Sequence, residues 1–128
     1  MYQSLDLFTV AGDLARHAGA SQATVARNLA NADTPGYRAQ ELPSFSEIYS
    51  AGGDTGLRMT RAGHLPGSAG TVGAAEPRLI QAEASPNGNT VSVEEQMITS
   101  VEVAREHSRA LTIYRHAMTV LRTSLGRN

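Results

Sequence analysis

Apolar side chains recur at intervals of three and four residues through the first 33 residues of the chain. This spacing places them on one face of an α-helix. Thr34 precedes a proline and is biased away from helical backbone, and Gly36 is free to adopt a positive φ, so the helix is expected to end at this turn. We therefore predict an N-terminal helix over residues 1–33. Its predicted packing seam contains Leu7, Leu14, Val25 and Leu29.

The strongest pattern in the sequence is a heptad repeat of apolar residues near the C-terminus. Residues 91–125 contain neither proline nor glycine, and Ser92 and Glu95 form a capping-box pattern that is typical of a helix N-terminus. Glutamates gather early in this segment and arginines late, which suits the helix dipole. The repeat predicts a long helix that packs along one stripe, as in a coiled coil. The predicted seam residues are Met97, Val101, Leu111, Tyr114, Met118 and Leu121.

The middle of the chain has a different composition from its ends. Residues 34–90 hold all five prolines and nine of the twelve glycines. Brief alternation over residues 57–60 and 78–82 is compatible with one small hairpin, and the rest is expected to be extended or disordered. We predict a mainly α fold: antiparallel terminal helices, 1–33 and 91–128, form one coiled-coil-like core domain, and 34–90 is a turn motif followed by a loose, partly β or irregular insert.

Composition narrows the range of functions. The net charge is −1 and cysteine is absent, so the chain lacks the basic field of a nucleic-acid-binding protein and the thiols of a cysteine-based site. No apolar run is long enough to span a membrane, and the first positive side chain is Arg16, so a secretory signal peptide is not expected.

A search for chemistry gives little support for an enzyme. The four histidines lack the spacing of a helical metal pair, and the glycines at 67, 70 and 73 do not match a phosphate-binding loop. The glutamates of the C-terminal helix are better explained as dipole complement and solvated face than as a catalytic pair. We therefore predict no catalytic, cofactor-binding or metal-binding residues, and neither a small-molecule substrate nor a nucleic-acid partner.

Two helices alone leave part of each apolar stripe uncovered. The uncovered edges favour association, either into a closed bundle or into an open filament. A soluble homodimeric four-helix bundle, acting as an adaptor or export chaperone, is one interpretation. Polymerisation is the other, and the stripes alone do not decide between the two.

One segment adds information of a different kind. Residues 25–39, VARNLANADTPGYRA, resemble the signature A-x-N-[IL]-A-N-x-x-T-P-G-Y that ends the N-terminal helix of bacterial flagellar rod proteins. Segments 59–65, 87–97 and 114–122 agree with the proximal-rod type, so the resemblance covers nearly the whole chain except 50–56 and 66–85. Small departures occur at Asn87 and Ser92, where the family usually has aspartate.

The resemblance implies a structural function in the flagellar basal body. It implies a subunit that polymerises helically at the proximal end of the rod and transmits motor torque across the periplasm. The implied partners are other rod subunits, a FliE-type adaptor, a FliF-type MS-ring protein and the flagellar type III export apparatus, which would carry the chain without a cleaved signal peptide.

The resemblance also singles out an assembly and turn motif. Amide side chains near a helix end can satisfy backbone groups of the turn that follows, and an aromatic ring can anchor that turn. The helix seams are then expected to pair within a subunit and afterwards against neighbours. The residues of the motif are Asn28, Asn31, Thr34, Pro35, Gly36 and Tyr37.

Overall fold

The computed structural model describes residues 2–52 and 75–126. Helix α1 covers Tyr2–Ala30, strand β1 Gln40–Glu41, helix α2 Phe45–Gly52, strand β2 Arg78–Leu79 and helix α3 Val93–Ser124. The two long helices pack against each other, which confirms the predicted mainly α fold built on its terminal helices. Among the described residues, no helix combines the length and apolar character needed to cross a membrane.

Helices α1 and α3 run antiparallel. Their side-chain contacts show the direction, because the residue numbers rise along one helix as they fall along the other. These contacts join Phe8 to Tyr114, Gln22 to Ser100 and Asn28 to Gln96. The aromatic pair meets edge to face with ring centroids 5.2 Å apart.

Small side chains fill the interface between these two helices. The buried residues of α3 follow a heptad repeat, and most of the buried apolar residues of α1 are also small. Small side chains let the helix axes approach closely, but each buries little apolar area. The buried apolar residues are Ala11, Ala18 and Val25 on α1 and Val103, Ala110 and Ala117 on α3, and the buried Gln96 begins the α3 repeat.

The intrachain seam of α3 lies one position earlier than predicted. Met97, Val101 and Leu111 are 59%, 53% and 38% exposed, so the prediction that they pack within the chain is corrected. Hydrophobicity alone favours large apolar residues, whereas the repeat that packs on α1 is Gln96, Val103, Ala110 and Ala117, because close helix approach favours smaller side chains. Tyr114 is exposed except for its contact with Phe8. Met118 and Leu121 are half-buried.

The predicted seam residues of α1 also fall into a buried or half-buried group and an exposed group. Val25 is buried and Leu14 half-buried, whereas Leu7 and Leu29 are 42% and 43% exposed. The predicted intrachain contact is therefore corrected for these two leucines. The seam positions of α1 that face α3 most directly carry alanine or valine.

The strands form one short antiparallel ladder. Gln40 pairs with Leu79 and Glu41 with Arg78, and Ile80 donates its backbone N–H to Ala39. A strand was predicted over 78–82, but its partner here is β1, directly after the turn motif. The other predicted strand, 57–60, lies outside the described residues.

Local signals account for the helix ends. Ser92 caps α3 by accepting the Glu95 N–H at 3.3 Å, as the capping-box pattern predicted. Gly36 and Gly126 have φ of +72° and +66° where α1 and α3 give way to turns. Helix α2 was not predicted, although Ser44 and Glu47 repeat the same capping pattern and the Glu47 N–H does donate to the Ser44 hydroxyl.

Candidate functional site

Two segments that are distant in sequence meet where α1 ends and α3 begins. We call this region the junction: residues 28–41, which leave α1, and residues 85–96, which lead into α3. Backbone hydrogen bonds join the segments, from Gly36 N–H to Asn87 O at 3.0 Å and from Thr90 N–H to Tyr37 O at 3.1 Å. The Thr90 hydroxyl also accepts the Ala39 N–H at 2.8 Å. The junction therefore fixes the path of the polypeptide between the helices and the sheet.

Asn28 lies at the centre of the junction and is only 1% exposed. Its Nδ2 donates to Gln40 O at 2.7 Å and to Gln96 Oε1 at 3.0 Å. Its Oδ1 accepts from the Gln40 N–H at 3.1 Å and from the Tyr37 hydroxyl at 3.3 Å. Both donors and both lone pairs of the amide are thus used, as a buried amide requires. This one side chain joins α1, the turn, β1 and α3.

Asn31 and Thr34 hold the turn that follows α1. Asn31 Nδ2 donates to Arg27 O at 2.8 Å, and the Thr34 hydroxyl donates to Asn31 Oδ1 at 3.2 Å. The Thr34 N–H also donates to Asn31 O at 3.0 Å. These bonds replace the intrahelical partners that the last turn of a helix lacks.

Asn89 completes the junction and was not among the predicted site residues. It is 2% exposed, and its Nδ2 lies 2.8 to 2.9 Å from the backbone oxygens of Asn31, Ala32 and Thr34. Its Oδ1 accepts the Val91 N–H at 2.7 Å. A single amide from the opposite segment therefore binds the turn that follows α1. Its sequence signals are the family resemblance of segment 87–97 and its place after a glycine turn just before a capping box.

Two glycines allow the segments to cross closely. Gly36 and Gly88 have φ of +72° and +79°, a region that favours glycine. A Cβ added to Gly88 would lie 3.4 Å from the Gly36 Cα. Of the other predicted motif residues, Pro35 is exposed and Tyr37 is half-buried with its hydroxyl on Asn28.

A second cluster links α2 to α1. His17 is 4% exposed, and its Nε2 donates to Pro43 O at 2.8 Å. Phe45 lies edge-on to the His17 ring and stacks on Tyr49, with centroid separations of 5.9 and 5.7 Å. Within the described residues, no cluster of three or more acidic or histidine side chains is arranged to hold a metal ion.

The outer surface of α3 carries apolar side chains that the other described residues leave exposed. We call residues Met97, Val101, Ala104, Ser108 and Leu111 the outer stripe, because they recur every three or four residues on α3 and are all exposed. Beside it lies a groove of about 570 Å³ between the helices. Its lining includes Ala18, Gly19, Ala23 and Ala26 of α1 and Ala104 and Ser108 of α3.

The fold and the junction define a class of protein: a long helical hairpin whose polar side chains fix its own turn and whose larger apolar side chains face outward. The family described as Flagella basal body rod protein matches residues 18–38, which span the second half of α1 and the turn. Three relatives carry the name flagellar basal body rod protein FlgB. The Escherichia coli K12 protein is 32% identical over 71% of this chain and 72% of its own length.

The other two relatives extend the match. The Cereibacter sphaeroides protein is 30% identical over 77% of each sequence. The Agrobacterium fabrum protein is 28% identical over 82% of this chain and 81% of its own. The chain belongs to the flagellar basal body rod protein family, a family of structural proteins.

Proposed function

We propose that this chain is a structural subunit at the proximal end of the flagellar rod, where it polymerises helically and transmits motor torque across the periplasm. Family membership supports the rod, and the outer stripe is the observation that carries the polymerisation. Met97 and Val101 are more than half exposed on a helix that already has one partner. Such side chains gain the most from burial against a further helix.

The hairpin offers two unlike surfaces to a neighbour. Met97, Val101 and Leu111 of the outer stripe present large side chains. The adjoining groove, which Ala104 and Ser108 of the stripe help to line, presents mostly small ones. A contact between unlike surfaces repeats from subunit to subunit, and it gives an open helix when the rotation does not close. The soluble homodimeric bundle would instead pair like surfaces and stop at two subunits.

The junction gives the subunit a fixed geometry under load. Asn28 and Asn89 are both buried and fully bonded, so the angle at which the polypeptide leaves α1 is set by several hydrogen bonds at once. Partners at this position in the rod would be other rod subunits, a FliE-type adaptor and a FliF-type MS-ring protein. Export by the flagellar type III apparatus suits a helix interface of alanines, whose small buried area makes unfolding easy.

Leu111→Asp tests the outer stripe. The variant places a carboxylate where a neighbour would exclude water, and burying it unpaired costs several kcal/mol. His116→Asp is the matched control, because His116 is also exposed on α3 but lies outside the outer stripe. In cells that lack the native gene, we expect Leu111→Asp to abolish motility and rod incorporation and His116→Asp to restore both.

Two measurements keep this test decisive. Immunoblotting shows whether both variants are made, and circular dichroism of dilute samples, in which association adds no helix, compares their helicity. Normal motility with Leu111→Asp would contradict the assignment of the outer stripe. A purified wild-type protein that sediments as a discrete dimer at all concentrations would favour the closed bundle.

A further inference from the structure

The junction contains a peptide bond whose chemistry differs from that of its neighbours. Asn87 is followed by Gly88, the one asparagine–glycine pair in the sequence, and both residues are exposed. Gly88 has a φ of +79° and approaches the Gly36 Cα, so the turn requires glycine there. Asn87 supplies Oδ1 as the acceptor for the Asn89 N–H at 3.0 Å. The turn therefore places an asparagine directly before a glycine, and because glycine has no side chain, the Gly88 backbone nitrogen is unshielded.

We propose that Asn87 is a site of spontaneous deamidation and that the folded junction controls its rate. The Gly88 nitrogen loses its proton to hydroxide and attacks Cγ of Asn87. As the N–Cγ bond forms, the Cγ–Nδ2 bond breaks and Nδ2 leaves as ammonia, having taken a proton from water. Water then opens the succinimide. Cleavage of the new N–Cγ bond gives aspartate, and cleavage of the original peptide bond between Asn87 and Gly88 gives isoaspartate.

The native hydrogen bonds oppose ring closure. The Gly88 N–H donates to Ser85 O at 2.7 Å, and the Asn87 side chain is held by the Asn89 N–H. Both bonds must break before Cγ reaches the Gly88 nitrogen. Since one such bond changes an equilibrium by about fivefold, we expect deamidation in the folded protein to be at least about fivefold slower than in the unfolded protein.

The two products differ in their effect on the junction. Aspartate retains an oxygen that can accept the Asn89 N–H. Isoaspartate routes the backbone through Cγ, which displaces the Asn87 carbonyl that accepts the Gly36 N–H at 3.0 Å. Isoaspartate is therefore expected to loosen the junction, and aspartate is not.

Asn89 provides a control inside the same peptide. It is 2% exposed, and its Nδ2 is held by three carbonyl oxygens. Cleavage after arginine releases residues 79–105 as one peptide that contains both asparagines. Asn89→Ala removes the side-chain bonds that hold this loop on the turn after α1. Gln81→Ala, at an exposed position of the same peptide, is the matched variant.

The experiment incubates the full-length protein at mildly alkaline pH, with and without guanidinium chloride, and follows the peptide by mass spectrometry. The undenatured samples are kept at a concentration where circular dichroism shows the helices. We expect conversion at Asn87 to be slowest in the wild type and in Gln81→Ala, faster in Asn89→Ala and fastest in denaturant. Equal rates for the folded and denatured wild type would overturn the proposal. So would conversion of Asn89 as fast as Asn87 in denaturant.

Discussion

Asn28→Ala is the sharpest test of the junction. The substitution removes all four hydrogen bonds of this amide, two of them to the backbone of Gln40. Each backbone bond contributes about 1 kcal/mol, and leaving the Gln96 oxygen unpaired costs about 1–3 kcal/mol because Gln96 is only 5% exposed. The Tyr37 hydroxyl is half-buried and can turn to water. The expected loss in the free energy of unfolding is about 3–5 kcal/mol.

The assay is denaturant unfolding of the full-length protein, followed by far-ultraviolet circular dichroism at one fixed concentration at which the wild-type helices are formed. Gln22→Ala is the matched control, because Gln22 is also an amide on α1 that donates to α3, at 3.0 Å to Ser100, but it is exposed. Its expected loss is below about 1 kcal/mol. Equal losses for the two variants would refute the conclusion that buried amide bonds stabilise the junction.

Asn28→Asp adds a pH dependence to the same test. The new carboxyl keeps the shape of the amide but turns an oxygen toward Gln40 O and Gln96 Oε1. Burial against two acceptors raises the pKa of this carboxyl in the folded state, since only the protonated form can donate. The variant is therefore least stable above that raised pKa, and it regains stability relative to wild type as the pH falls through it. A stability difference from wild type that is independent of pH would contradict this reasoning.

Three further predictions concern the backbone, the helix interface and association. Gly88→Ala should lose about 1–2 kcal/mol in the same unfolding assay because φ is +79°, and an unchanged midpoint would contradict the strain. Ala110 is 0% exposed, so Ala110→Leu should lower the free energy of unfolding by about 1–3 kcal/mol through overpacking. Ala104→Leu, on the outer stripe, should change it by no more than about 0.5 kcal/mol. The reverse order would place the intrachain seam one residue later. The isolated protein should be weakly helical when dilute and gain helix as its concentration rises, and a cooperative melt of a monomer at high temperature would count against this.

The parts of the fold that depend on residues close together along the sequence could be predicted from it. Pro35 and Gly36 mark the end of α1, and Ser92 marks the start of α3, because each acts on backbone groups within a few residues. Helix α2 carried the same kind of signal at Ser44, so it was predictable and was missed. The partners of β1 and Asn89 were not predictable in this way, because their contacts join segments about 40 to 60 residues apart.

The register of the helix interface shows why apolar pattern alone is insufficient. Two overlapping heptad repeats exist on α3, one through Met97 and Leu111 and one through Gln96 and Ala110. Hydrophobicity favours the repeat through Met97. The repeat through Ala110 is the one that packs on α1, because close helix approach favours small side chains, and Ala110 is accordingly 0% exposed. Only the facing residues of α1, which are also small, decide between the two repeats. That information is tertiary and is absent from the pattern of either helix.

The repeat through Ala110, which has the smaller side chains, packs inside the hairpin. The repeat through Met97 and Leu111, which has the larger side chains, therefore remains available to neighbouring subunits. If Met97 and Leu111 packed inside the hairpin, the exposed face of α3 would offer little apolar area, and association would add little stability. With alanines inside, the hairpin alone is weakly held and the outer stripe gains most of its burial on assembly. On the proposed function, such a protein would unfold readily before export and become rigid in the rod. The buried amides of the junction then act as the fixed point, because they set the turn whether or not a neighbour is present.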